Sequence, residues 1–464
     1  MPGPVSEQGR FLTGSTMGHV VRMTATGAFG ITFVFLVDAA NLLWLSLWGA
    51  PQQVAAIGFA FAIQFFSVSI GVGLMIAATA LVSRSIGRGE RALARQQAGA
   101  AIVIAVGIQA VVATLIVTFR HPLLELSGAT GETAALAARY LAISVPSLVP
   151  MAVSLVGSGV LRAEGYGAKA MYVTLFSGVL SMFIDPPLIY YYGLDGAAIG
   201  LVVFRVSLLG LAIYYAIIQM NLIDRPDAAM VRRILRPFMV VALPAIATQM
   251  STPAGNYFLT IIMAPFGDDA VAAWAVVGRL TVLVFGGIFA LSGAIGGIFG
   301  QNYGAGQFDR LRSTYRDALV FCALYTLVAW ALLWTAIPYV SVLFGLKGQG
   351  AEVLHAFAGV GVGAFMFVGA LFVSNAAFNN LGKPGRSTLL NWLKDGVLSW
   401  PAAMLLAGSF GAAGVIYGQA LGGAVMGILA ASWGWRYVAR LGPQSDIDPA
   451  PPRPYPNLDR FRRR

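Results

Sequence analysis

Apolar runs long enough to span a bilayer follow one another along almost the whole of this 464-residue chain. A membrane-crossing helix needs about 20 such residues, and an ordinary soluble domain is about 25% charged. Here 58% of residues are hydrophobic and 11% charged. A globular core cannot absorb that pattern, so the chain reads as an all-α polytopic membrane protein. Cutting at the polar breaks gives twelve spans, at roughly 20–48, 52–83, 96–119, 133–157, 168–191, 195–222, 235–265, 269–300, 314–337, 351–378, 387–407 and 411–437.

Basic residues cluster in the loops after spans 2, 4, 6, 8 and 10, as with Arg84, Arg88, Arg91 and Arg95, or Arg310, Arg312 and Arg316. The loops after spans 1, 5, 7 and 11 carry none; Arg120 and Lys347 are the exceptions. The positive-inside rule then expects a cell (inner or plasma) membrane protein with both termini cytoplasmic. The same clustering explains the net charge of +11 without a nucleic-acid partner. One cysteine, Cys322, excludes a disulfide framework. The first residues lack the pattern of a signal peptide. The end, PPRPYPNLDRFRRR, reads as a disordered tail with weak attraction for anionic lipid heads.

The chain also resembles itself at a lag of about 217 residues. Gly87, Gly89 and Arg95 fall on Gly304, Gly306 and Arg312; Gly165 falls on Gly382; GVLS at 178–181 recurs at 396–399. An even number of spans separates the copies, so they share one orientation, and two six-helix lobes are expected to face each other. The expected organisation is a segment 1–19, a first lobe 20–222, a linker 223–234, a second lobe 235–437 and the tail 438–464.

Several ionisable residues sit inside apolar runs. Asp38 lies in FLVDAANLLW, about 15 Å below the outer end of span 1, and Asp185 in FIDPPLIYYYG, about 10 Å below that of span 5. A carboxyl stripped of water favours its neutral form, which suits proton exchange. Arg205 lies at comparable depth on span 6 and is expected to pair with one of these acids. Lys394 and Asp395 on span 11 suggest a local pair, with a second coupling site as the alternative. Pro186 and Pro187 free the carbonyls of Met182 and Phe183.

The span-1 pattern VDAANLLWLSLWG, the loop LRAEGYGAK and above all GQNYGAGQFDRLR resemble the multidrug and toxic compound extrusion (MATE) transporters, over roughly residues 10–437. The resemblance implies a two-lobed exporter of organic, often cationic, compounds that works by alternating access in exchange for protons or sodium. In the DinF-like branch the working carboxylates lie on helices 1 and 5, matching Asp38 and Asp185. The second lobe offers only Asn256 and Asn375 where other branches carry acids. Asn41 and Ser181 join the expected coupling set with Asp38, Asp185 and Arg205. Ser181, shorter than the Asn common there, favours H+ over Na+. The helix-1 proline of the family is absent from MTATGAFG, while span 7 keeps Pro244. If the lobes face each other, the cavity is lined by Phe35, Trp44, Tyr190, Met250, Asn256, Tyr257, Arg279 and Asn375. Aromatic faces beside a carboxylate suit lipophilic cations.

The rival readings are a sodium-coupled exporter and a flippase for lipid-linked sugars, the latter short of central cations. An enzyme is not expected, since HExxH and GxSxG motifs are absent and His19, His121 and His355 lie apart. No cofactor or metal is expected beyond the coupling ion. The expected partners are a small organic substrate and membrane lipid, with a monomer as the working unit.

Overall fold

The computed structural model describes residues 9–443. The expectations for the first eight residues and for most of the basic tail lie outside the described residues. Within them the secondary structure is helical, without strands, because a backbone crossing hydrocarbon has to satisfy its own N–H and C=O groups. Span 1 is Thr16–Trp48, span 2 Pro51–Gly87, span 3 Arg91–Thr118 and span 4 Gly131–Ala163, the last with a 3-10 turn at Val145–Ser147. Spans 5 and 6 form Gly167–Gln219, which reverses at Gly193. Spans 7 to 10 are Ala228–Met263, Asp268–Gly304, Phe308–Leu343 and Gly348–Asn380. Span 11 runs through Pro384–Trp392, a π-helical segment Leu393–Ser399 and Trp400–Phe410; span 12 is Ala413–Arg440.

Among the described residues nine helices are long and apolar enough to cross a membrane. The hairpin of spans 5 and 6 counts once there. Span 7, with three prolines, and span 11, broken by its π segment, fall outside that criterion yet complete the twelve expected traverses. The expected linker is shortened. Asp227 accepts a hydrogen bond from Met230 N at 2.7 Å, and that cap starts span 7 at residue 228. Span 1 is unbroken through Gly27 and Gly30, in keeping with its missing proline.

The duplication is written into the backbone. Five glycines with left-handed φ in the first half, Gly89, Gly128, Gly131, Gly165 and Gly193, recur as Gly306, Gly345, Gly348, Gly382 and Gly411. Gly193 (φ 55) and Gly411 (φ 61) each reverse the chain between two spans, a conformation that a Cβ disfavours. Arg95 and Arg312 also do matching work. Arg95 donates to Asn221 and Asp224 in the chain leaving span 6. Arg312 donates to the carbonyls of Ala439 and Leu441 at the end of span 12.

The lobes meet closely at the end that carries the basic loops. A Cβ on Gly87 would lie 2.1 Å from the carbonyl oxygen of Gln301, and one on Gly304 2.1 Å from that of Arg84. These contacts are the same contact twice, since Arg84 and Gln301 are themselves matched by the repeat. Their side chains repeat the reciprocity: Arg84 Nε donates to Asn380 O at 2.9 Å and Gln301 Nε2 to Ala163 O at 2.6 Å. The first helix of each lobe also crosses over at this end. Val20 and Met23 are buried in a core made otherwise of second-lobe side chains and Phe11, whereas Phe238 and Ala242 are buried among first-lobe side chains. Small residues permit such backbone approach in lipid, where packing replaces the hydrophobic effect. A strap before span 1 covers the seam: Phe11 N donates to Gln301 Oε1 at 2.9 Å, and Arg310 donates to the carbonyls of Phe11 and Gly14.

Gly304→Leu should therefore weaken closure by about 1–3 kcal/mol, the usual cost of overpacking. The check is reaction of a cysteine placed at buried Ser83 with an impermeant maleimide: labelling should speed up with Gly304→Leu and stay slow with Gly385→Leu, where a Cβ meets nothing within 4 Å. Equal protection in both would refute the closure.

Candidate functional site

Asp185 sits on span 5 directly before Pro186 and Pro187, and the helix continues through both. The carboxyl is buried, with 1% of its surface exposed. Its Oδ2 accepts from Asn41 Nδ2 at 2.8 Å and from Ser181 Oγ, one turn earlier on the same helix. Its Oδ1 is buried and accepts no hydrogen bond within the described residues, and Asn41 Oδ1 is in the same condition. Gly200 of span 6 makes the room for this carboxyl, since a Cβ there would lie 2.4 Å from Asp185 Oδ1. Spans 1, 5 and 6 thus meet around one acid with one oxygen engaged and one bare.

Asp38 lies three residues before Asn41, hence on the same face of span 1. It is exposed and makes no side-chain hydrogen bond or ion pair with any described residue. The close approaches between lobes run from the basic end up to Gly73 against Ile246 and Gly286 against Thr32, and Phe35, Leu36 and Asp38 lie beyond them and are exposed.

Arg205 corrects an expectation. It pairs directly with neither Asp38 nor Asp185. Its Nη2 donates to Gln64 Oε1 at 2.8 Å, and its Nη1 to Ser144 O at 3.1 Å and Ser147 Oγ at 3.0 Å. Gln64 in turn donates to Ser144 Oγ at 2.7 Å. The reason is direction. Arg205 points from span 6 into the interior of its own lobe, between spans 2 and 4, where the 3-10 turn containing Pro146 presents a carbonyl and a hydroxyl. Neutral oxygens take up the hydrogen bonds of this guanidinium, so it acts on Asp38 only through space, as a nearby unbonded charge. Gln64, Ser144, Ser147 and Gly200 were not marked from the sequence. Gln64 had a visible signal, as a lone amide in the apolar run FAFAIQFFSVS; Gly200 had none.

The second lobe repeats the geometry without the acid. Gly418, the counterpart of Gly200, closes against Ala403, the counterpart of Asp185, with a Cβ 2.3 Å from its Cα. Asn256, the counterpart of Asp38, is exposed. Asn375 does not line an open cavity as expected: it is buried, and its Oδ1 accepts from Asn391 Nδ2 at 3.0 Å within the lobe. Trp44 is likewise half-buried against the first-lobe core. Phe35, Tyr190 and Tyr257 are exposed, Tyr190 packing edge-on to Trp48 rather than to another expected cavity residue. Met250 is half-buried, and Arg279 is exposed without a described partner. Lys394 and Asp395 form a buried local ion pair at 2.8 Å within the π segment of span 11. Among the described residues no three His, Cys, Asp or Glu side chains converge as metal ligands.

The MatE family model matches residues 28–186 and 244–405, once in each half. The chain is 26% identical over 430 residues to the FAD transporter of Shewanella oneidensis, covering 90% of this chain and 94% of that protein. It is 20% identical over 387 residues to the multidrug export protein MepA of Staphylococcus aureus, covering 81% and 84%. Its fold matches the Vibrio cholerae MATE transporter VcmN with a TM-score of 0.86 at 24% identity, covering 92% of this chain and 97% of that one. An outward-facing multidrug resistance MATE family transporter matches with a TM-score of 0.87 at 22% identity, covering 94% and 99%.

Removing Arg205 leaves the buried Gln64 Oε1 without its donor, while Ser144 O still accepts from Ser147 Oγ. Arg205→Met should cost about 3 kcal/mol of stability, and adding Gln64→Leu should recover part of that loss. Thermal unfolding in detergent of the two single variants and the double variant checks this. Strict additivity would mean that the two side chains do not interact.

Proposed function

This chain belongs to the MatE family, a family of transporters rather than enzymes, and on that premise we propose that it exports organic compounds in exchange for protons bound at Asp185 and Asp38. The observation that carries the reading is the bare, buried Oδ1 of Asp185. A proton added there neutralises the acid without breaking either bond to Oδ2, so the site can load while the spans stay packed. Asn41 belongs to span 1 and Ser181 to span 5, so losing the carboxylate charge weakens the acceptor that ties the two helices together. Asp38, exposed on the open side, is then the group that meets water or a cationic cargo. Ion and cargo compete for one charge, and that competition couples their movements. The basic loops support assigning the closed end to the cytoplasm and the inner membrane as the location. In that reading the conformation described here is open outward.

Sodium is the second reading, favoured by one observation: Asn41, which donates to Asp185 through Nδ2, has a bare Oδ1 of its own, so each of the two residues keeps an oxygen free for a cation. Cargo also has two supports. The multidrug export protein MepA favours drug-like compounds, and the exposed Asp38 and Tyr257 favour cationic, apolar ones among them. The FAD transporter and the exposed Arg279 favour an anionic aromatic compound.

The deciding experiment is transport of a lipophilic cation and of FAD by reconstituted protein under separately imposed pH and sodium gradients. We expect the pH gradient to drive uptake and Asp185→Asn to reduce it to the level of empty vesicles with the protein still folded. Wild-type uptake driven by sodium alone, or full pH-driven uptake by Asp185→Asn, would sink the proton reading. Gly200→Ala, whose methyl would press on Oδ1, should impair the same step; unimpaired coupling there would mean that Oδ1 takes no part.

A further inference from the structure

Between the basic ends of spans 1 and 5 lies a cavity of about 270 Å³ lined by Arg10, Arg22, Thr26, Tyr166, Lys169 and Tyr172. The coupling reading makes no use of it. None of its three cations forms a carboxylate ion pair among the described residues, and the one acid that Arg10 senses is Glu164. Arg10 stacks on the Tyr166 ring at 3.8 Å, and Lys169 Nζ donates to the neutral Gln219 Oε1 at 2.5 Å. Arg22 makes no side-chain hydrogen bond or ion pair with any described residue. The acid beside the cavity, Glu164, is engaged by Arg91. Span 5 opens here without a side-chain cap, which adds the partial positive charge of a helix N-terminus.

An aromatic lane leads away from the cavity. On span 1, Arg22, Thr26 and Phe29 follow at helical spacing on one face; on span 5, Lys169, Tyr172 and Phe176 do the same. Phe29 is 67% exposed and Phe176 52%. The lobes are shut against each other at this depth, so these rings face the bilayer rather than a central cleft. The cavity therefore sets cations at headgroup level and apolar rings at the level of the chains.

We propose that this cavity binds the phosphodiester headgroup of an anionic phospholipid from the leaflet at the basic end, with its acyl chains along Tyr172 and Phe176. A bound lipid would bridge the strap residue Arg10 to spans 1 and 5, the two helices that share Asp185. The proposal needs only the membrane orientation of the fold, so it stands or falls apart from the choice of coupling ion.

The test uses the purified full chain, delipidated in neutral detergent, with native mass spectrometry and thermal unfolding as readouts. Phosphatidylglycerol should be retained in preference to phosphatidylcholine and should raise the unfolding temperature; inorganic phosphate should not. Arg22→Gln with Lys169→Gln should weaken phosphatidylglycerol retention about 30-fold, or about 2 kcal/mol. The charge-matched pair Arg225→Gln with Arg436→Gln, elsewhere on the basic end, should leave it unchanged. Wild-type protein without preference for phosphatidylglycerol overturns the proposal whether or not the variants fold. So does an equal effect of free phosphate, or an equal loss in the control pair.

Discussion

Closure of the two lobes at the basic end is the constraint on which the rest of the structure depends. It is made of backbone approaching backbone across a pseudo-twofold axis: Gly87 on Gln301, and Gly304 on Arg84. Hydrocarbon offers no hydrophobic drive to hold two helical bundles together, so association rests on packing and polar contacts. Glycine supplies the packing. Arg84 and Gln301 supply the polar contacts, each reaching a carbonyl at the end of a helix in the other half. A contact built from many small, exact-fit pieces in a low-dielectric setting favours discrete open and shut states over intermediate ones. It is also what makes the far side of the molecule the side on which Asp38 is accessible.

The buried polar groups divide into two kinds. Arg205 and its partners Gln64, Ser144 and Ser147 form a satisfied network, and such a network stiffens its lobe. Asp185 is half satisfied, with one oxygen held and one bare. A bare buried oxygen is costly, and a group that has to bind and release an ion requires a vacancy of that kind. The second lobe carries the same backbone approach, Gly418 on Ala403, with nothing there to titrate. Duplication supplied two like frames, and a buried acid of the second lobe sits elsewhere, at Asp395 on span 11, held by Lys394 at Oδ1 and bare at Oδ2.

Much of this was legible in the chain. Apolar run length fixes the number of traverses, because a helix rises by a set amount and a bilayer has a set thickness. Glycines at a constant lag reveal the duplication, because left-handed turns tolerate little else. Asp38 and Asp185 stand out because an acid in an apolar run is expensive. The partner of Arg205 was not legible. Depth along a helix can be counted from the sequence, but the azimuth of a side chain relative to helices distant in sequence cannot. The same limit misplaced Asn375 and Trp44, both at plausible depths and both turned into their own lobe.

The sequence by itself determined an all-helical, twofold-repeated membrane protein with lone acids in spans 1 and 5 and a Lys–Asp pair in span 11, since length, hydropathy and spacing are local properties read residue by residue. Only the tertiary structure decided which end is shut, which oxygen of Asp185 is bare and what holds Arg205. Those depend on distances between helices far apart in the chain, where a few ångströms separate a bonded ion pair from two charges that act only through space, because hydrogen-bond energies fall steeply with separation and angle.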